Sequence, residues 1–182
     1  SDSHAISGCA SDAPTPAQIK EFFAQIESGR ITKDRLQEFL RGEMTVKEQD
    51  LLKRITTVAV KGAKKFCAAD HLKEANVGWT GDNFDKLFRD LVEEDVEDAT
   101  LAVSSLERDS LDAPILTELG NRAEIQLAHF FDLLKRQSKG EEGVLLVNEY
   151  ANIAYIPDAQ GNFWAVSARW GSGVGYWYVN AS

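Results

Sequence analysis

Phe163-Trp164-Ala165-Val166-Ser167-Ala168-Arg169-Trp170, then Gly171-Ser172-Gly173-Val174-Gly175, then Tyr176-Trp177-Tyr178-Val179, is the stretch whose reading decides the fold. Two runs rich in aromatic and β-branched residues flank a glycine-rich break, which is the pattern of a β-hairpin. Strand alternation places Trp164, Val166, Ala168 and Trp170 on one face, opposite Phe163, Ser167 and Arg169. In the second run Tyr176 and Tyr178 oppose Trp177 and Val179. Upstream, Pro157-Asp158-Ala159-Gln160-Gly161-Asn162 is a turn segment, and residues 144–156 read as the preceding strand. There the same alternation sets Leu145, Val147, Ala151 and Ile153 against Asn148, Tyr150 and Asn152. The three runs predict a C-terminal antiparallel β-meander.

Helical signals dominate before it. Asn121 and Glu124 have the spacing of a capping box, and Leu127, Phe130, Phe131 and Leu134 form a stripe of helical period. A helix is therefore expected over 121–137, packed on one face of the meander. Near the start, Thr15 precedes Pro16 as an N-cap, Ile19, Phe22, Phe23 and Ile26 follow at helical spacing, and Gly29 closes the helix. A second short helix is expected from Thr32 to Gly42, with Leu36, Phe39 and Leu40 apolar. Thr45 and Glu48 suggest a capping box for a third, starting at Val46 and carrying Leu51, Leu52 and Ile55.

The middle reads less sharply. Residues 56–60 fit a strand or the end of the third helix, and 62–73 fit a helix. Asn76 to Asn83 has turn chemistry around Trp79, Phe84, Leu87, Phe88 and Leu91 resume a helical stripe, and 100–103 fit a short strand. The expectation is an α+β protein with a flexible tail over 1–14, a helical bundle over 15–55 and an α+β domain over 56–182, ending in the meander. Ser1-Asp2-Ser3-His4 reads as a processing or expression scar, and the expected location is the cytoplasm.

Composition narrows the function classes. The 182 residues carry a net charge of −9, with 43% hydrophobic and 27% charged residues. A soluble globular protein is expected, with no membrane and no nucleic-acid partner, because phosphates are repelled by most of such a surface. The one basic run, Lys53, Arg54, Lys61, Lys64, Lys65 and Lys73, lacks interleaved recognition residues and reads as a solvated face. The acidic run from Glu93 to Asp98 reads as a solvated loop rather than a metal site. Cys9 and Cys67 make no disulfide framework.

No zinc-binding helix, paired Cys-x-x-Cys, phosphate loop or nucleophile elbow is present, so no metal and no cofactor are expected. His71, beside Asp70 and one helical turn from Cys67, and His129, near Glu124 and Asp132, are the weak catalytic candidates. A surface histidine and a half-buried helix histidine are the plainer readings of the two. The polar face of the meander, Asn148, Tyr150, Asn152, Arg169, Tyr176 and Tyr178, suits a protein partner or a small polar ligand. Against this stands the ordinary solvated face of an antiparallel sheet, which cross-strand Tyr pairs stabilise.

Several motifs carry a family resemblance. They are Gly81-Asp82-Asn83-Phe84, residues 110–120 from Ser110-Leu111-Asp112-Ala113-Pro114 onward, Leu133-Leu134-Lys135-Arg136-Gln137, residues 140–148, Ala151 to Ile156, and the Asp158…Gly161 turn. In this order the chain from about residue 60 resembles an uncharacterised protein family predicted from uncultivated candidate-phylum bacteria. The resemblance implies a bacterial or metagenomic origin and a recurring domain, and no activity. Glu149 stands where that family usually has Gly, and a further Trp-containing segment is expected beyond Ser182. The function expected is a non-enzymatic binding or interaction module. Its acidic charge suits a basic protein partner, for example in a toxin-neutralising role. The alternative is a small hydrolase-like enzyme in which His71 or His129 is the base and Asp70, Asp82 or Glu124 orients it.

Overall fold

The structure is a computed structural model and describes residues 3–9, 14–42 and 51–182. The chain divides into two compact units, residues 1–9 with 50–182, and residues 10–49.

The smaller unit contains α1 (Pro16–Glu27) and α2 (Lys33–Leu40). Thr15 and Gln18 form a reciprocal capping box at α1, and Thr32 caps α2 through the Arg35 amide. Gly29 and Gly42 follow the two helices in the left-handed conformation expected at C-terminal caps. The Phe22 ring lies 6.1 Å from Phe23 and 6.4 Å from Phe39. Thr45, Val46 and Glu48, on which a third helix was expected, lie outside the described residues. Its continuation is corrected, because Leu52 and Ile55 belong to a strand.

In the larger unit the strands are β1 (His4–Gly8), β2 (Leu52–Val60), β3 (Ala63–Cys67), β4 (Val77–Thr80), β5 (Val92–Val96), β6 (Ala99–Leu106), β7 (Asn152–Pro157), β8 (Phe163–Gly171) and β9 (Tyr176–Ala181). Among the described residues seven of them form one sheet in the order β2-β6-β1-β7-β8-β9-β4, while β3 pairs with β5. The β1–β7 and β4–β9 pairs are parallel and the others antiparallel. The fold is therefore mixed α+β around one large mixed sheet.

Four expectations are corrected here. Residues 4–8 are not a tail but an inner strand, with Ala5, Ile6 and Ser7 buried between β6 and β7. Residues 62–73 give β3 and a short 3₁₀ turn, because Lys64 and Lys65 stay exposed while Phe66 turns into the core. The acidic run is mostly the strand β5. The strand expected over 144–156 begins only at Asn152.

Helices α3 (Asp82–Leu87), α4 (Asp112–Leu119) and α5 (Leu127–Arg136) complete the unit. Leu127, Phe130, Phe131, Leu133 and Leu134 of α5 share a core with Phe84, Phe88, Val166, Ala168, Trp170, Trp177 and Val179. A second cluster joins Ile115 and Leu119 of α4 to Leu106, Tyr155 and Ala165. Since Tyr155 and Ala165 alternate with Ala154 and Val166 along their strands, α4 and α5 cover opposite faces of the sheet. Tyr155 donates its hydroxyl to Asp112 Oδ1 at 2.8 Å, and burial, helped by that carboxylate, pushes its phenol far up.

Helix α5 starts six residues later than the Asn121/Glu124 spacing suggested, and its cap is not local. Glu93 of β5 accepts the first-turn amides of Leu127 and Ala128 at 2.9 and 2.8 Å. A carboxylate there satisfies two orphan donors and meets the positive end of the helix dipole. Glu93→Ala is expected to cost about 1–2 kcal/mol, read as a thermal midpoint lower by roughly 2–8 °C; an unchanged midpoint would refute the cap.

Candidate functional site

With α4 over one part of the outer face and α5 over the inner face, the outer face of β8, β9 and β4 carries an open cleft. Trp79, Glu149, Ser167, Arg169, Trp170, Gly171, Gly173, Val174, Tyr178 and Asn180 line about 550 Å³ of it. That volume falls in the range of small-ligand sites.

The registry of the strands builds its floor. Arg169 of β8 stands opposite Tyr178 of β9, and Tyr178 opposite Trp79 of β4, so one cross-strand row runs Arg169, Tyr178, Trp79. Beside it runs a second row, Ser167 opposite Asn180. The Trp79 and Tyr178 rings lie 5.9 Å apart at 50°, and Trp79 is 47% exposed, a large indole open to solvent. Tyr176 packs 5.2 Å from Tyr178, and its neighbouring hydroxyl pushes the Tyr178 phenol up. Gly78 is needed beneath Tyr176, because a Cβ there would lie 2.2 Å from the nearest carbon of the phenol ring.

Glu149 supplies the carboxylate. It sits at φ 71°, a left-handed conformation that disfavours any residue but glycine, and Oε1 accepts the Ser172 hydroxyl at 2.8 Å. A strained backbone on the rim of a cleft is a feature that functional sites tend to keep. The guanidinium of Arg169, by contrast, makes no hydrogen bond or ion pair among the described residues.

The six residues expected at this face are divided by the structure. Arg169 and Tyr178 line the cleft, and Tyr176 supports Tyr178 from beside it. Asn148 accepts the Tyr150 amide at 3.4 Å, and both lie in the loop before β7, outside the cleft lining. Asn152 is a correction: it is fully buried and faces the opposite side of the sheet, in register with Ala168. Alternation counted back from a strand that does not extend before Asn152 inverted the parity of this segment. Trp79, Glu149, Ser167 and Asn180 were missed. Trp79 reached the site through a parallel pairing with a strand about a hundred residues away, which no local pattern announces.

The histidines lie elsewhere. His129 is buried, with Nε2 at 2.7 Å from the Glu97 carbonyl. His71 stacks on Phe66 at 4.8 Å, and its Nδ1 is 2.9 Å from Lys135 Nζ and 3.4 Å from Glu74 Oε2. At the shorter contact the Lys135 ammonium donates to Nδ1. His4 Nδ1 is 3.1 Å from the Val144 carbonyl, and burial lowers the His4 imidazole below its ordinary value. Asp70 closes a short 3₁₀ turn, Asp82 opens α3, and Glu124 bridges to Tyr155 through its backbone. Cys67 Sγ lies 3.4 Å from the Arg89 carbonyl.

Among the described residues no three His, Cys, Asp or Glu side chains are grouped to hold a metal, and no helix is long and apolar enough to cross a membrane. The chain matches no family model, no curated protein and no solved structure.

Proposed function

We propose that this protein is a non-enzymatic binding module that holds a small polar ligand in the cleft on the outer face of β8, β9 and β4. The observation that carries the reading is the guanidinium of Arg169, unpaired among the described residues, in one row with the open rings of Tyr178 and Trp79. A row of three residues on adjacent strands spans roughly 10 Å, the length of a small ligand. An exposed indole and an unpaired Arg are also the residue types that anchor ligands and partners most strongly. The hydrolase alternative gains no support from the cleft, whose lining contains no histidine. The resemblance of residues 60 onward to a bacterial family adds no activity to this reading.

The test is a thermal-shift panel of amino acids, sugars, nucleotides and basic peptides on the full chain. A ligand at about 100 times its Kd stabilises by about 2.7 kcal/mol, which for this size is a midpoint rise of roughly 5–10 °C. The rise is expected to vanish in the Trp79→Ala/Arg169→Ala double variant and to survive in Tyr150→Ala. Loss in Tyr150→Ala with retention in the double variant would move the site off the cleft and refute the proposal.

A further inference from the structure

The cleft carries two opposite charges that do not neutralise each other. Arg169 and Glu149 both line it, yet they form no ion pair, and each keeps binding capacity unused. Among the described residues Arg169 has all its N–H donors free, and Glu149 spends one oxygen on Ser172 and keeps Oε2. Opposite charges lining one cleft would ordinarily close on each other at the surface, at a gain of about 0–1 kcal/mol. Here Glu149 is instead held away, its backbone left-handed and its carboxylate tethered to the β8–β9 turn. That separation leaves one anion receptor and one cation receptor facing the same space.

Between and beside them lies apolar surface. Trp79 and Tyr178 form an open aromatic corner, and the hydrocarbon of Val174, which is 50% exposed, faces the same cleft. Asn180 and Ser167 add neutral hydrogen-bonding groups with no side-chain partner among the described residues. A purely anionic ligand would leave Glu149 as a repulsive neighbour, and a purely cationic one would leave Arg169 so. A neutral sugar would use the ring and the amide but leave both charges desolvated and unmatched. A ligand with a carboxylate, an ammonium group and one flat or branched apolar group satisfies every part of the site.

We propose that the cleft binds a free α-amino acid with an aromatic or branched apolar side chain. Its carboxylate takes the forked Arg169 guanidinium, which matches carboxylate geometry. Its ammonium takes the free oxygen of Glu149, and its side chain lies against Trp79 and Tyr178. This rests on the cleft being the binding site, as proposed above. The charge requirement adds a prediction that the cleft reading alone does not make.

The experiment is isothermal titration of the full chain with L-phenylalanine, L-tryptophan and L-leucine, and with two blocked forms of each. The N-acetyl form removes the ammonium charge, and the amide removes the carboxylate. At least one free amino acid is expected to bind, with each of its blocked forms tenfold or more weaker. Glu149→Gly is expected to fold at least as stably as the parent, since glycine relieves the left-handed strain, while binding the free and N-acetyl forms alike. Arg169→Gln is expected to bind the free and amide forms alike. Blocked forms that bind as tightly as the free amino acids, with binding lost in Trp79→Ala, would overturn the zwitterion and keep the cleft. Free amino acids that fail to bind while another compound binds through Trp79 and Arg169 would do the same. Binding of any probe that survives Trp79→Ala/Arg169→Ala would overturn both.

Discussion

Ile6→Asp is expected to leave the larger unit unfolded, although it changes one residue in a segment whose composition resembles a disordered tail. Ile6 has no exposed surface and belongs to the main core cluster. Its strand pairs with β6 on one side over five registered residues and with β7 on the other over three. A charge at this point loses an apolar contact set and gains an unpaired buried carboxylate, which together exceed about 5 kcal/mol. Domains of this kind are stable by only about 5–15 kcal/mol, so little or no folded population should remain. Ile6→Val removes one methylene group and is expected to cost about 0.5–1.5 kcal/mol, so the pair separates burial from local strand propensity. Circular dichroism and urea unfolding give the readout. A folded Ile6→Asp variant with a midpoint near the parent's would show that β1 is dispensable to the sheet.

The same strand shows where sequence reading stops. Elements that carry their own local signals were legible: the Thr15 and Thr32 caps, the stripe from Leu127 to Leu134, and the alternation that turns Trp164, Val166 and Trp177 inward. Those signals live within a few residues, at the length scale of capping and of helical or strand period. Residues 4–8 carry no such signal, because small and polar side chains suit a strand only when two neighbours already flank it. Trp79 is the same case at the site itself: turn-like neighbours hide a strand that exists by pairing with β9. Lys64 and Lys65 misled in the other direction, since their exposed face with Phe66 and Cys67 fits a helical stripe as well as a strand edge. Two of the six residues of the candidate face, Arg169 and Tyr178, were legible as cleft residues, because both sit in strands whose parity is pinned by tryptophans. Asn152 was misplaced because the residues before it, read as strand, are loop, and a parity error of one residue exchanges the two faces.

Asn152 then becomes the second large effect, through the loop rather than through a ligand. Its Oδ1 accepts the Leu146 amide at 2.8 Å, and its Nδ2 donates to the carbonyls of Leu146 and Ala168 at 3.0 and 3.2 Å. Gln137 does the same at the preceding residue of the loop: Oε1 accepts the Leu145 amide at 2.9 Å, and Nε2 donates to the carbonyls of Glu141 and Leu145 at 2.8 and 3.0 Å. Two buried amides therefore hold residues 141–152 in place of the strand ladder that this segment lacks, and that segment carries Glu149 to the cleft. Asn152→Leu keeps the volume and removes all three bonds, leaving a buried amide and carbonyls without partners. Each stranded group costs about 1–3 kcal/mol, so a loss of about 3 kcal/mol is expected, or a midpoint lower by roughly 6–12 °C. Asn152→Asp, which can keep the Leu146 amide but not the two donations, is expected to be at least as damaging, because its charge is buried as well. If the loop positions Glu149, Asn152→Leu also weakens binding of a free amino acid at temperatures well below its own midpoint, and its N-acetyl form loses less. Equal losses for both forms would mean that Asn152 supports the sheet alone, since only a displaced Glu149 removes the preference for the ammonium group.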